Sequence, residues 1–164
     1  MNDESTRQRL FDQIQTECSG MVDRICFLYS NGSDDQRKDL YQECMLNIWQ
    51  GLRNFRGDAK LSTWLYRACI NTCVTSFRRH SKHNSTLPLE EAIAISADES
   101  SRPDELKELY RLIGMLGDID KAIILMWLDE NSYDEISEVT GMARNTVASR
   151  IRRIKERLVK LSNS

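Results

Sequence analysis

The sequence predicts an all-α chain of two small helical domains joined by a linker. Only 2 prolines and 7 glycines occur in 164 residues, so long helices run unbroken and tight turns are few. Apolar residues recur at spacings of three and four in both halves, which is the repeat of one helix face. Between the halves, residues 81–103 hold both prolines, are rich in Ser, Glu and Asp, and show no sustained period. Such a stretch is too long for an ordinary loop inside one domain. Domains are therefore expected over 5–80 and 104–161.

The first helix is expected from about Thr6 to Tyr29, with Leu10, Ile14, Cys18, Met21, Ile25 and Leu28 on one face. Asn31-Gly32-Ser33 closes it as a turn signal. The second, about Asp34 to Leu52, carries Leu40, Cys44, Ile48 and Leu52 at strict spacings of four. Gly51 and Gly57 bracket a short loop, and Ser62 is expected to cap a third helix from about Thr63 to Arg79, with Leu65, Cys69, Ile70, Cys73 and Phe77 inward. After the linker, Leu106, Leu109, Leu112, Ile113 and Leu116 mark a helix starting near Asp104. Ala122, Ile123, Leu125, Met126 and Leu128 mark the next. Ser132-Tyr133-Asp134-Glu135 is a capping box, in which hydroxyl and carboxylate each satisfy an orphan backbone N–H. That short helix ends at Gly141, where a left-handed cap is easiest for glycine. The last runs from about Arg144 to Leu161 on the stripe Val147, Ile151, Ile154, Leu158 and Leu161.

Composition narrows the function classes. No apolar run approaches the ~18–20 residues that span a bilayer, and the polar stretch Met1–Leu10 is not a signal peptide. The five cysteines are odd in number and form no CxxC. Reduced, buried thiols in a cytoplasmic protein fit this better than a disulfide framework. The formal charge of −2 argues, as an average, against a nucleic-acid binder.

The local distribution argues the other way. From Ala143 to Lys160 seven basic residues face the single acid Glu156. The short helix, Gly141 turn and final helix make a helix-turn-helix, whose second helix enters the major groove. At ~100° per residue, Asn145, Ala148, Ser149 and Arg152 lie opposite the apolar stripe, flanked by Thr146 and Arg153. Arg matches guanine, Asn matches adenine, and Ser or Thr serves base or phosphate. In the first half, 9 of 12 aromatic residues fall within positions 1–79 and interleave with basic ones around the third helix. Such a surface can stack single-stranded bases; taken singly, Trp49, Trp64 and Phe77 read more simply as core.

Two motif sets then make a specific resemblance. Asp39-Leu40-Tyr41-Gln42-Glu43 leading to Ile48-Trp49, then Phe55-Arg56-Gly57 and Thr63-Trp64-Leu65-Tyr66-Arg67, resembles region two of extracytoplasmic-function sigma factors. Ser132-Tyr133-x-Glu135-Ile136, Gly141 and Thr146-Val147-x-Ser149-Arg150-Ile151 resembles their region four. Order and length agree over about residues 8–161. The resemblance implies a non-catalytic specificity subunit that binds RNA polymerase core, at its clamp and flap regions, and directs it to promoter DNA, duplex and single-stranded. Asp39, Gln42, Glu43 and Trp49 match the helix that docks on the clamp. Phe55, Arg56, Gly57, Asp58, Lys60, Ser62 and Thr63 match the wall of a pocket for a flipped −10 base, whose unstacking costs a few kcal/mol. Asn71 and Thr75 match its reading face, and Arg78 and Arg79 the adjacent phosphate contacts. Arg144, Asn145, Thr146, Ala148, Ser149, Arg152 and Arg153 match the −35 reader. The linker matches a segment that threads through the polymerase, and family members are commonly restrained by an anti-sigma factor. Ala143 stands where a Ser cap is common, which weakens the cap by ~1 kcal/mol. Ala148 and Asn145 also depart from the usual residues, so the promoter sequence does not carry over.

Rival readings explain less. No P-loop, HExxH or GxSxG motif is present, so an enzyme is not indicated. Cys69-x3-Cys73 with His80-x2-His83 lacks the spacing of a zinc finger and sits on an apolar helix face, so no metal or cofactor is expected. A stand-alone helix-turn-helix regulator accounts for 104–161 but leaves the first domain unexplained.

Overall fold

The computed structural model describes residues 4–30, 33–83 and 104–163. Among these there are eight α-helices, one 3-10 turn and no strand. The chain divides into two compact units, the first carrying four helices and the second the other four. The stretch expected to be the linker lies, from residue 84 to 103, outside the described residues.

In the first unit, the expected single helix over 6–29 is two: α1 (Glu4–Glu17) and α2 (Ser19–Tyr29). Cys18 leaves helical geometry at φ −115°, ψ 1°. The ladder persists on either side, with Cys18 N–H donating to Ile14 at 2.8 Å and Val22 N–H to Cys18 at 3.1 Å. This is a kink rather than a turn, and the Ser19-Gly20 pair is the kind of sequence that kinks. The apolar face survives: Ile14, Val22, Ile25 and Leu28 are buried, whereas Leu10, Cys18 and Met21 are only half-buried.

Helix α3 (Asp34–Gly51) starts at Ser33, whose hydroxyl accepts from Gln36 N–H at 3.3 Å, with Asp34 and Asp35 in the first turn. Those carboxylates suit the positive end of the helix dipole. The 3-10 turn Leu52–Asn54 follows. Helix α4 (Leu61–His83) starts two residues earlier and ends four later than expected, so Ser62 is a first-turn residue and not the cap. Trp64 N–H already donates to Lys60 at 3.1 Å. Leu40, Cys44, Ile48, Leu52, Leu65, Cys69, Ile70 and Cys73 are all buried; the Phe77 side chain lies outside the described residues.

The second unit comprises α5 (Asp104–Ile113), α6 (Asp118–Leu128), α7 (Tyr133–Thr140) and α8 (Arg144–Ser162). Its core is Leu112, Ile113, Leu116, the run Ala122 to Met126, Ile136, Val147, Ile151 and Ile154. Leu106 and Leu128 are exposed and Leu109, Leu158 and Leu161 are half-buried, so these five do not join it as expected. Lys121 is buried with α6, and burial pulls its ammonium below the ordinary range against the opposing pull of Asp118. Past the end of α6, Glu130 adopts φ +67°. Asn131 then returns both its backbone and its side-chain N–H to Met126 O, at 3.0 and 2.9 Å.

Candidate functional site

Helices α3 and α4 each bury one face and leave another to solvent, and the predicted site residues divide between the two. On α3, Asp39 and Gln42 are exposed and Glu43 half-exposed, one turn apart on a single face. Leu46 stands on that face at 54 % exposure. Its position four residues after Gln42 and three after Glu43, off the Leu40-Cys44-Ile48 stripe, was a signal that the sequence reading passed over. Trp49 is turned toward α1. Buried Arg7 sets its guanidinium 3.6 Å from the indole centroid and donates to Trp49 O from Nε at 2.9 Å and Nη2 at 2.7 Å. Phe11 meets the same ring edge-on at 5.2 Å. Arg7 thus fixes the last turn of α3, where carbonyls lack intrahelical donors. Nothing local in the sequence announces a contact 42 positions away.

The loop between α3 and α4 rests on an aromatic floor. Phe55 and Trp64 lie with ring centroids 5.3 Å apart. A Cβ at Gly51 would come within 2.9 Å of Trp64 Cζ2, so glycine lets the indole lie against the end of α3. Above the floor, Arg56, Gly57, Asp58 and Lys60 are exposed and Ser62 is half-buried, as is Phe55 within the floor. Thr63 is 1 % exposed and lies beneath the surface, so it supports the wall from behind and presents nothing to solvent.

On α4, Asn71, Thr75 and Arg78 are exposed at helical spacing, opposite the buried Cys69 and Cys73. Arg79 is also exposed, and its Nη2 donates to Glu43 Oε1 at 2.6 Å. The residue expected on phosphate and the residue expected on the clamp therefore hold each other in the free chain. Asn47 Nδ2 donates to Thr72 Oγ1 at 2.9 Å, and that hydroxyl donates to Ala68 O at 2.7 Å. These bonds fix the register between the two functional helices.

In the second unit the capping box forms in full. Ser132 Oγ accepts from Glu135 N–H at 3.1 Å, and Ser132 N–H donates to Glu135 Oε1 at 2.9 Å. Gly141 takes φ +77° and donates to Ser137 O at 2.8 Å. Two hydroxyls the sequence reading did not single out stitch the turn. Ser137 Oγ donates to Met142 O, and Thr140 Oγ1 accepts from Met142 N–H at 3.2 Å while donating to Ile136 O at 2.8 Å. Ser and Thr beside a C-cap glycine are the signal for such bonds. Ala143 begins α8 with no side-chain cap.

The α8 face opposite the buried Val147, Ile151 and Ile154 carries the expected reader. Arg144, Asn145, Thr146, Arg152 and Arg153 are exposed, and Ala148 and Ser149 are half-buried. The basic residues are not equivalent. Arg150 Nη1 donates to Asp120 Oδ1 at 2.8 Å, and Lys155 Nζ sits 3.8 Å from the Trp127 ring centroid, so both brace α8 against α6. Arg144 Nε lies 3.6 Å from Asp134 Oδ1. Among the described residues no helix is long and apolar enough to cross a membrane.

Comparison with known proteins matches these two units to two family models. Residues 16–83 match sigma-70 region 2 and residues 106–158 match sigma-70 region 4. The ECF RNA polymerase sigma factor SigM of Mycobacterium tuberculosis is 30 % identical over 153 residues, covering 92 % of this chain and 76 % of the relative. The ECF RNA polymerase sigma-E factor of Escherichia coli K12 is 31 % identical over 135 residues, covering 72 % and 69 %. Two solved structures share the fold. The sigma factor RpoE of Bartonella quintana, in complex with the anti-sigma factor NepR, gives a TM-score of 0.77 at 23 % identity, covering 93 % of this chain and 96 % of that one. CnrH, in complex with the cytosolic domain of CnrY, gives 0.67 at 19 %, covering 95 % and 89 %. With region-two and region-four matches in order on two helical units, and relatives aligned across most of their length, this chain belongs to the extracytoplasmic-function group of RNA polymerase sigma factors.

Proposed function

We propose that this sigma factor divides its work among three helix faces. Residues 5–80 bind core polymerase and the −10 element, 81–103 serve as the linker, and 104–161 bind the −35 duplex. Asp39, Gln42 and Glu43, joined by Leu46, form the docking face for the polymerase clamp. Trp49 takes part through the end of α3 that it anchors. The Phe55–Thr63 loop and the Asn71, Thr75 and Arg78 strip receive an unstacked base and the phosphates beside it. Arg144, Asn145, Thr146, Ser149, Arg152 and Arg153 meet the duplex, with Ala148 offering a methyl group to base edges. The carrying observation is that on α3, α4 and α8 the residues with binding chemistry occupy the solvent faces, while the opposite faces are buried. A dual role of the first unit fits the short path between its two faces, marked by the Glu43–Arg79 contact.

The protein acts without catalysis of its own, in the cytoplasm where polymerase resides. An anti-sigma factor is proposed as its restraint, by analogy with the complexes of its structural neighbours. The test is run-off transcription with core polymerase, with and without this chain, on a library of upstream regions. Specific initiation should appear only with the chain, and its absence sinks the reading. Within that assay Asn71→Ala should impair promoter opening while core binding stays intact. Equal loss of both would remove Asn71 from the reading face.

A further inference from the structure

The first unit holds a cluster of thiols that promoter recognition does not use. Cys26 of α2, Cys44 of α3 and Cys73 of α4 are each fully buried. Cys26 Sγ lies 3.8 Å from Cys44 Sγ, and Cys44 Sγ lies 4.0 Å from Cys73 Sγ. All three sulfurs fall within 4.8 Å of one another, and among the described residues no histidine or carboxylate joins them. Cys69 stands outside this group because its sulfur is not within 4.8 Å of all three, although its thiol hydrogen-bonds with that of Cys44 and its carbonyl oxygen lies 3.8 Å from Cys44 Sγ. Cysteines that merely fill a core behave as small hydrophobes. Packing of that kind does not require sulfurs from three helices to converge on one point.

The spacing matches a metal-centred arrangement. With a metal–thiolate bond of ~2.3 Å, three sulfurs in a trigonal plane stand ~4.0 Å apart. Soft thiolate donors select monovalent copper or zinc over hard cations. Structural zinc takes four protein ligands, and here three sulfurs converge in a site with no solvent exposure. We propose that Cys26, Cys44 and Cys73 form a closed three-sulfur site for monovalent copper. The ion binds without electron transfer, and each thiol that becomes a thiolate ligand releases one proton to solvent. Because each ligand comes from a different helix, occupancy ties α3, with its docking face, to α4 and α2. This inference is independent of the residue roles proposed for promoter binding.

The test uses the full chain, kept reduced and anaerobic, and titrated with monovalent copper in competition with a chromogenic chelator. One ion should bind per chain. X-ray absorption should count three sulfur neighbours, and the thermal transition of the first unit should rise. Cys44→Ala and Cys73→Ala should lose the ion, whereas Cys69→Ala and Cys18→Ala should keep it. Cys69→Ala is the pertinent control, since it removes a neighbouring core thiol outside the group. The sulfur count on the unmodified chain keeps the proposal testable if Cys44→Ala fails to fold. Failure to compete with the chelator, retention of copper by a folded Cys44→Ala, or equal loss in Cys69→Ala overturns the site. Preferential retention of zinc with four sulfur neighbours overturns the monovalent assignment.

Discussion

Arg7→Ala should destabilise the first unit more than any surface substitution in it. Arg7 is 3 % exposed, forks onto Trp49 O at 2.7 and 2.9 Å, and stacks 3.6 Å from the indole centroid. Hydrogen bonds from a charged donor contribute ~1.5–3 kcal/mol. A desolvated cation–π contact adds ~1–2 kcal/mol. Relief of the buried guanidinium's desolvation offsets part of the sum, which leaves a net cost of about 2–4 kcal/mol. For a unit of this size that is a fall of roughly 10–20 °C in Tm. Arg7→Lys keeps the charge but not the planar fork, so it should recover less than half the loss. The assay is thermal unfolding followed by tryptophan fluorescence in a Trp127→Phe background, where Trp49 and Trp64 report the first unit alone. A fall below about 3 °C, or full rescue by lysine, would refute the view that the forked cation holds the end of α3.

Three further outcomes follow. Arg79 and Glu43 are 61 % and 35 % exposed, so their pair contributes at most ~1 kcal/mol to stability. Glu43→Gln should leave Tm nearly unchanged and raise the free chain's affinity for single-stranded DNA by no more than about fivefold at low salt, as read by fluorescence anisotropy. No rise would mean that Glu43 does not restrain Arg79. Glu130→Gly should stabilise the second unit by ~1 kcal/mol, because the φ of +67° at Glu130 penalises any Cβ; denaturant midpoints measure it. Burial holds the folded pKa of Lys121 below that of an ordinary lysine. The unfolded chain therefore binds more protons between the two values, and stability from this group rises with pH across that window. Lys121→Met should flatten that rise in a pH series of unfolding curves, and an unchanged slope would place its origin elsewhere.

The parts of the fold legible in sequence are those decided within one or two helical turns. The strict fours of Leu40, Cys44, Ile48 and Leu52 name the buried face of α3, and so by subtraction the face of Asp39, Gln42 and Glu43. The Ser132–Glu135 box and Gly141 specify α7 completely, because caps are local hydrogen-bond problems. What escaped reading depends on tertiary partners. The apolar stripe over 6–29 is continuous across the kink at Cys18, since a change of axis preserves which residues face the core. Ser62 lost its expected cap because α4 begins one residue before it. Arg7 on Trp49 and the meeting of Cys26, Cys44 and Cys73 join distant positions, and periodicity is blind to such pairings. In the last case the sequence raised Cys69 and Cys73, neighbours on one helix, and its spacing argued against a metal site, whereas the convergent sulfurs come from three helices.

The near-neutral charge of the chain and its promoter function are reconciled by where the cations point. Of the bases on α8, Arg150 is held by Asp120 and Lys155 by the Trp127 ring, and Arg144 stands beside Asp134. On α4, Arg79 is held by Glu43. These contacts subtract from the positive field that would otherwise draw the free chain to any phosphate backbone. Non-specific affinity scales with the number of phosphates neutralised, and log K falls by ~0.9 per contact per decade of salt. Each unit alone therefore presents fewer free cations than its sequence holds, and a weaker, salt-sensitive hold on DNA. Held together on polymerase, the second unit's encounter with promoter becomes intramolecular once the first has bound. Joining two binding modules in one chain lets avidity exceed either affinity by ~10²–10⁴. Self-pairing of the basic residues thus lowers binding where a single unit acts and costs little where both act together. Tight DNA binding is therefore expected of the holoenzyme and not of the free chain.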